Sequence, residues 1–242
     1  MKIAVIGGTG LIGSQVVQNL NSAGHEAVPH SKSTGIDIIS GQGLEQAVAG
    51  ADVVVNLTNS PTFDEASPAF FRTSMDNLLA AAHKGGAGHF VILSIVGVDR
   101  VPQLDYYRAK VLQEDILKTG GIPYSIVRAT QFMEFIDSVL SWTADDDTVR
   151  LPATPIQPIA AKDVAHAVAE VAAGAPLNGV RNIGGPEVFH LDELGRITLT
   201  HRADPRTVVT DPAAGMFAAV EGDVLTDTNA HLSPTRYTDW LS

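Results

Sequence analysis

Cysteine is absent from this chain of 242 residues, which removes disulfides, thiolate catalysis and cysteine-bound zinc. The eight histidines show neither His-x-x-x-His nor His-x-His spacing, so a metal site has no support. Cationic residues are few. Sixteen Lys and Arg against 27 Asp and Glu leave a formal charge of −11 and a pI near 5.0, which argues against a nucleic-acid surface. No uncharged apolar run reaches about 18 residues, the length that spans a bilayer. A strand pattern starts at residue 2 and leaves no room for a signal peptide. The expectation is a soluble cytoplasmic protein, a monomer or homodimer, with neither nucleic acid nor membrane as partner.

What is present begins at the amino terminus. The apolar run Ile3–Ile6 ends in glycines, and a helical pattern follows with Ile12, Val16, Val17 and Leu20 on one side. Such a run reads as a strand buried on both faces of a parallel sheet, with the helix packed on it. Between them lie Gly8-x-Gly10-x-x-Gly13 and Gly7-x-x-Gly10-x-x-Gly13. Glycines there permit a tight turn and close approach of backbone to a pyrophosphate, and the helix N-terminus offers free amides. Gly8-x-x-x-x-Gly13 also has the spacing of a nucleoside-triphosphate loop, but Ser14 stands where its lysine must be. The pattern therefore predicts a dinucleotide held by Gly7, Thr9, Gly10, Leu11 and Ile12.

Strand and helix patterns alternate to about residue 132. A second strand is expected at His25–His30, with Pro29 awkward in a central strand and best placed at its end. After it comes Ser31-Lys32-Ser33, where NAD-preferring sites carry an acid for the ribose 2′-hydroxyl. A cation between two hydroxyls suits a 2′-phosphate, so NADP(H) is favoured over NAD(H). Ile36–Ile39 reads as a short third strand, with Asp37 and Ile38 bordering adenine; Asp37 could equally be a solvated strand-end acid. Ala51–Leu57 reads as a fourth strand, continuous through Val53–Val55 as in a buried parallel sheet. Asn56, Leu57, Thr58 and Asn59 lie at its C-terminal end, where ligands bind, with Leu57 and Thr58 behind the adenosine. A helix opened by Pro68, a strand from His89 to Ser94, a helix from Asp105 and a strand from Tyr124 to Arg128 follow. The fold class predicted is α/β, a Rossmann-type doubly wound parallel sheet. Residues 1–155 would form the nucleotide domain and residues 156–242 a small substrate-covering lid, its last forty residues without a readable order.

The chemistry rests on Ser94, Tyr106 and Lys110. Tyr106 and Lys110 stand four apart and share a helix face. A phenol with an ordinary pKa near 10 becomes a useful acid beside an ammonium, and Lys110 could also hold the nicotinamide ribose. Ser94, at a strand end, could bond the substrate oxygen. Ser94 is no hydrolase nucleophile, because Ile92 replaces the glycine of a Gly-x-Ser-x-Gly elbow. Thr130, Gln131 and Phe132, just past a strand end, would lie near nicotinamide and substrate.

The sequence resembles the atypical short-chain dehydrogenase/reductase superfamily, in its NmrA-like NAD(P)-binding branch. The residues that carry the resemblance are Gly7–Gly13, Phe90–Ser94, Tyr106–Lys110, Asp76–Ala82 and Pro123–Phe132, with weaker similarity through Ala161–Ala165. The resemblance implies NAD(P)H at the C-terminal edge of the sheet and, through Tyr106, Lys110 and Ser94, reductase chemistry. One departure is Lys32 in place of the family's usual arginine, a point charge without a bidentate fork. The expected function is an NADP(H)-dependent oxidoreductase passing hydride to a small carbonyl or quinone. The alternative is a redox-sensing regulator that binds NAD(P) without turnover. A sugar-nucleotide epimerase is disfavoured by the short C-terminal portion.

Overall fold

The computed structural model describes all 242 residues. In chain order the strands are β1 (Lys2–Ile6), β2 (Glu26–His30), β3 (Val53–Asn56), β4 (His89–Ile95), β5 (Tyr124–Ala129), β6 (Thr148–Leu151), β7 (Pro155–Ile156), β8 (Gly179–Gly184), β9 (Phe189–His190), β10 (Thr207–Thr210) and β11 (His231–Leu232). The helices are α1 (Leu11–Ser22), α2 (Leu44–Val48), α3 (Ser67–Gly85), α4 (Asp105–Lys118), α5 (Ile136–Trp142), α6 (Ala161–Ala173), α7 (Leu191–His201) and α8 (Tyr237–Leu241). Seven strands form the main sheet in the order β11-β8-β5-β4-β3-β1-β2. The pairings β1–β2, β1–β3, β3–β4 and β8–β11 are parallel. This is the expected doubly wound α/β fold.

The chain divides into two compact units, neither of them a single run of sequence. One comprises Met1–Ser94, Asp105–Arg128 and Val164–Arg181, and the other Ile95–Leu104, Ala129–Asp163 and Asn182–Ser242. A cut at residue 155 divides the chain differently, because most of α6 belongs to the first unit while β6 and α5 belong to the second.

In the first unit, Ala4, Ile6, Val54, Phe90, Ile92 and Ile126 share a buried cluster with Leu44, Met75, Leu78, Ala82 and Leu117 from α2, α3 and α4. The alternate residues Ile3, Val5, Val53, Val55, Val91 and Val127 are buried too. The strands are therefore apolar on both faces, which explains their unbroken hydrophobic runs. α1 buries Ile12, Val16 and Leu20 of the predicted stripe, while its fourth member, Val17, is only half-buried.

One predicted strand is absent. Ile36–Ile39 is a turn, fixed by the Asp37 carboxylate accepting from the amides of Ile39 (2.8 Å) and Ser40 (3.5 Å). The aspartate satisfies local amides that a strand would have offered to a neighbour, and propensity yields to that turn. β2 is consequently the sheet's edge, and Pro29 sits inside it rather than at its end. Beside it, Asn21 clasps Ala27 twice, donating to its carbonyl (3.2 Å) and accepting from its amide (2.9 Å).

The second unit supplies the order that the sequence pattern did not disclose. β6 pairs with β10 in parallel and β7 with β9 antiparallel. Its anchor is Tyr237, fully buried, whose hydroxyl meets that of Thr198 at 2.7 Å. Nearby, Trp240 donates to Glu134 (3.1 Å), which also accepts from the Ala161 amide at the start of α6. The last forty residues are thus tied down by side chains far apart in sequence, and short periodic patterns could not reveal that.

The glycines of the first turn have separate reasons. A Cβ at Gly13 would lie 2.1 Å from the Gly7 carbonyl oxygen, and one at Gly10 would meet only that oxygen, at 3.3 Å. Gly13→Ala should cost ~1–3 kcal/mol or more through overpacking, whereas Gly10→Ala should leave stability within ~0.5 kcal/mol. Urea unfolding of both variants checks this; equal losses would show that the helix does not sit so close to the strand.

Candidate functional site

At the C-terminal ends of β1 and β3 lies a cavity of about 370 Å³. The chain passes from β1 to β2 on one side of β1, then crosses to β3 on the other. Such a switch point is where open parallel sheets leave a crevice. Gly7, Thr9, Gly10, Ser31, Lys32, Ile38, Leu57 and Thr58, all predicted as cofactor-binding, line it. Leu11 and Ile12 do not; their side chains are exposed and core-packed respectively, leaving their amides as the useful groups.

The cavity fits a dinucleotide on three counts. No side chain caps α1, and its first turn carries no acid, so early amides and the positive end of the helix are free for an anion. A Cβ at Gly10 would have one neighbour within 4 Å, the Gly7 carbonyl oxygen at 3.3 Å, so the backbone there is open on its other sides to a phosphate group. Gly7, at φ +81°, takes a backbone conformation that disfavours other residues, and its carbonyl accepts the Gly10 amide at 3.0 Å.

The Ser31–Lys32–Ser33 segment is ordered by its own bonds. Ser31 and Thr34 cap a single helical turn reciprocally, with the Ser31 amide 2.8 Å from Thr34 Oγ1, and the hydroxyls of Ser31 and Ser33 meet at 2.8 Å. Lys32 is exposed on the rim of the cavity. Ser33 and Asp37 lie outside the cavity lining. Amides of the turn, foremost that of Ile39, hold the Asp37 carboxyl below its usual value, so this acid serves the turn. Sequence reasoning missed Ile36, Ile39, Pro61 and Phe70 as lining residues, and it placed Asn59 at the ligand-binding strand end without giving it a role.

Ser94, Tyr106 and Lys110 all belong to the first unit, but no hydrogen bond joins them. The Tyr106 hydroxyl donates to Asn59 Oδ1 at 2.6 Å. Burial pushes this phenol up to about 12, and the Asn59 bond, rather than the Lys110 ammonium, opposes that rise. Lys110 is buried, donating to the Leu93 carbonyl (2.7 Å) and to Gln113 Oε1, with its ammonium 5.0 Å from the centre of the Phe71 ring. Ser94 donates to Glu114 Oε1 at 2.6 Å. Glu114 has no exposed side-chain area and is gripped by Arg128 from Nε (2.8 Å) and NH2 (2.7 Å). The serine hydroxyl therefore points at a buried carboxylate, away from the role of substrate donor that its strand-end position suggested. Thr130, Gln131 and Phe132 belong to the second unit, where the Thr130 amide donates to Ile183, Gln131 bonds Leu225 and Gln157, and Phe132 bridges Ile159.

Burial lowers the Lys110 ammonium to about 7, with Glu114 pulling the other way. Unfolded, the same amine titrates near ~10.4. Below the folded value both states are protonated and the full cost of burying the charge is present. Between the two values the unfolded chain binds more protons, so stability rises with pH, by at most ~1.4 kcal/mol per unit. Urea unfolding at pH 7.5, 8.5 and 9.5 should therefore favour the natural chain progressively over Lys110→Met. A stability difference independent of pH would mean that the amine is not buried as a cation.

Comparison with known proteins identifies the family and the fold. A family model described as NAD(P)H-binding matches residues 7–174. Among curated proteins, divinyl chlorophyllide a 8-vinyl-reductase of Cucumis sativus is 28% identical over 222 residues, covering 76% of this chain and 53% of that one. The chain thus spans about half the length of that relative. The photosystem II assembly factor Ycf39 of Synechocystis is 25% identical over 80% of this chain and 67% of its own length. The NADPH-dependent quinone oxidoreductase QOR2 of Escherichia coli, solved with NADPH, has the same fold. Its TM-score is 0.76 at 18% identity, with 99% of this chain and 98% of that one covered. The triphenylmethane reductase of Citrobacter sp., solved with NADP(H), superposes with a TM-score of 0.67 at 20% identity over 88% and 80% of the two chains. No helix is long and apolar enough to cross a membrane. The fold is that of NAD(P)H-binding oxidoreductases, and with more than half of its residues matched, this chain belongs to the NAD(P)H-binding family.

Proposed function

We propose that the protein is an NADP(H)-dependent oxidoreductase acting on a small carbonyl or quinone. The observation that carries this reading is the cavity itself: a glycine turn lining it through Gly7 and Gly10, an uncapped helix start, and Lys32 rather than an acid on the rim. The names of the solved neighbours, an NADPH-dependent quinone oxidoreductase and a triphenylmethane reductase, support the choice of chemistry. Gly7, Thr9, Gly10 and the first amides of α1 would hold the pyrophosphate, and Ser31, Lys32 and Ser33 the 2′-phosphate. Ile36, Ile38 and Ile39 would pack on the adenine. When bound, the nicotinamide supplies a hydride.

Tyr106 is the proton donor in this proposal. Its buried hydroxyl stays protonated at neutral pH, as a donor must. Lys110 holds charge and ribose on the same helix face. Ser94 assists at one remove, fixing Glu114, whose carboxylate favours the ammonium form of Lys110. The second reading, a regulator that binds NAD(P) without turnover, has one observation in its favour. The polar groups of Tyr106, Lys110 and Ser94 are all satisfied within the protein.

Two measurements decide between them. Titration with NADPH and NADH separately should show Lys32→Glu weakening NADPH about tenfold or more, ~1.4 kcal/mol, and NADH little; equal weakening would dismiss the 2′-phosphate assignment. Screening NADPH oxidation against quinones, aldehydes and ketones should find turnover that Tyr106→Phe reduces about a hundredfold or more while NADPH affinity holds within a few-fold. Tight binding with no turnover on any of these acceptors would favour the regulator.

A further inference from the structure

Asn59 is a polar cavity residue to which the proposed chemistry assigns no role. It stands three residues beyond the end of β3, in a stretch fixed by two buried side chains. Asn56 Oδ1 accepts both the amide (3.0 Å) and the hydroxyl (2.7 Å) of Thr58. Ser67 donates to the Thr62 carbonyl at 2.8 Å and to the Ser60 hydroxyl at 3.1 Å. Within this frame Asn59 Oδ1 accepts the Ser60 amide at 3.0 Å and the Tyr106 hydroxyl at 2.6 Å.

The tyrosine is equally fixed. Its ring meets the edge of Phe63 at 4.8 Å, with Phe71 and Tyr107 each 6.3 Å away between centroids. With the ring clamped, the hydroxyl retains one freedom, rotation about its C–O bond, and Asn59 sets it. A carboxamide oxygen is a neutral sp² acceptor with two lone pairs and no appetite for a proton at ordinary pH. In hydrogen-bonding terms it matches a ketone, aldehyde or quinone oxygen.

We propose that Asn59 is a positioning residue whose carboxamide oxygen holds the Tyr106 hydroxyl in the place a substrate's carbonyl or quinone oxygen takes over, so that substrate binding exchanges one neutral acceptor for another. This rests on the reading of Tyr106 as proton donor. The exchange costs little, because a neutral bond is traded for a neutral bond. A charged acceptor at position 59 would hold the hydroxyl roughly twice as strongly and resist the trade. The acceptor demanded of the substrate is an uncharged sp² oxygen, which narrows its class to ketones, aldehydes and quinones.

The test uses the full chain carrying tyrosine labelled with ¹³C at Cζ, whose resonance reports hydrogen bonding of the phenol. Tyr106 is assigned by its loss in Tyr106→Phe. Its resonance should move in Asn59→Leu as the hydrogen bond is lost, and move in the opposite direction in Asn59→Asp as the bond strengthens. Kinetics use 1,4-naphthoquinone as probe at saturating NADPH, which removes any change in cofactor affinity. Asn59→Leu should lower kcat about tenfold or more with KM for the quinone within a few-fold, and Asn59→Asp should raise that KM. An unmoved Tyr106 resonance in Asn59→Leu overturns the proposal. So does natural turnover by both Asn59 variants while Tyr106→Phe is inactive. Natural turnover by Tyr106→Phe, or none by the natural chain, removes the proton-donor reading and the exchange with it; the resonance then still tells whether Asn59 sets the phenol.

Discussion

The contact on which the rest depends is the approach of α1 to the end of β1. Gly13 lies so near the Gly7 carbonyl that no side chain fits between them, and this nearness brings the start of the helix over the strand. Because the helix begins there uncapped, its first amides face the crevice between β1 and β3. Gly8 presses on Pro29 of β2, where a Cβ would fall 2.6 Å from the proline Cα, so the turn is wedged between two strands. Gly10 is the least crowded of the four, with the Gly7 oxygen its one close neighbour. The other three glycines thus serve packing or backbone conformation, and Gly10 keeps the backbone at the start of α1 approachable.

Behind the cavity, α4 carries an unusual density of buried charge. Glu114 is neutralised by the two-pronged grip of Arg128 on β5, an arrangement that limits the cost of desolvating both. Lys110, one turn earlier on the helix, has no carboxylate in hydrogen-bonding contact and leans on a carbonyl, a carboxamide and an aromatic face. Its charge is therefore poorly compensated. Such a group is expensive to keep in a core.

How much of this was legible in advance depended on the range of the interactions. The β1–α1 turn was written in thirteen consecutive residues, and their pattern disclosed the fold class and the Gly7, Thr9 and Gly10 part of the cavity wall. The C-terminal edge of β3 was likewise local, giving Leu57, Thr58 and Asn59, though the bond from Tyr106 to Asn59 escaped because nothing in a linear reading connects residues 47 positions apart. Tyr106 and Lys110 were rightly placed on one helix face. What no spacing rule could tell was that each would find a partner from another element, so that the expected phenol–ammonium couple is replaced by two separate bonds. Ile36–Ile39 failed for a different reason: apolar residues suggested a strand, but Asp37 offers its carboxylate to the following amides and closes a turn first. The second unit was obscure because its strands are two to four residues long and its tail is fastened by Tyr237 and Trp240 to residues 39 and 106 positions away.

The edge formed by β2 has one more property. Amide and carbonyl groups of Glu26 and His30 turn inward to β1, so those of Ala27 and Pro29 turn outward. Asn21 occupies both outward groups of Ala27, and proline has no N–H to present. A neighbouring molecule seeking to add a strand there would find one outward group open, the Pro29 carbonyl, with every other position taken or missing. The sheet ends at β2 by its chemistry as well as its topology, and that rim disfavours extension of the sheet by a second copy.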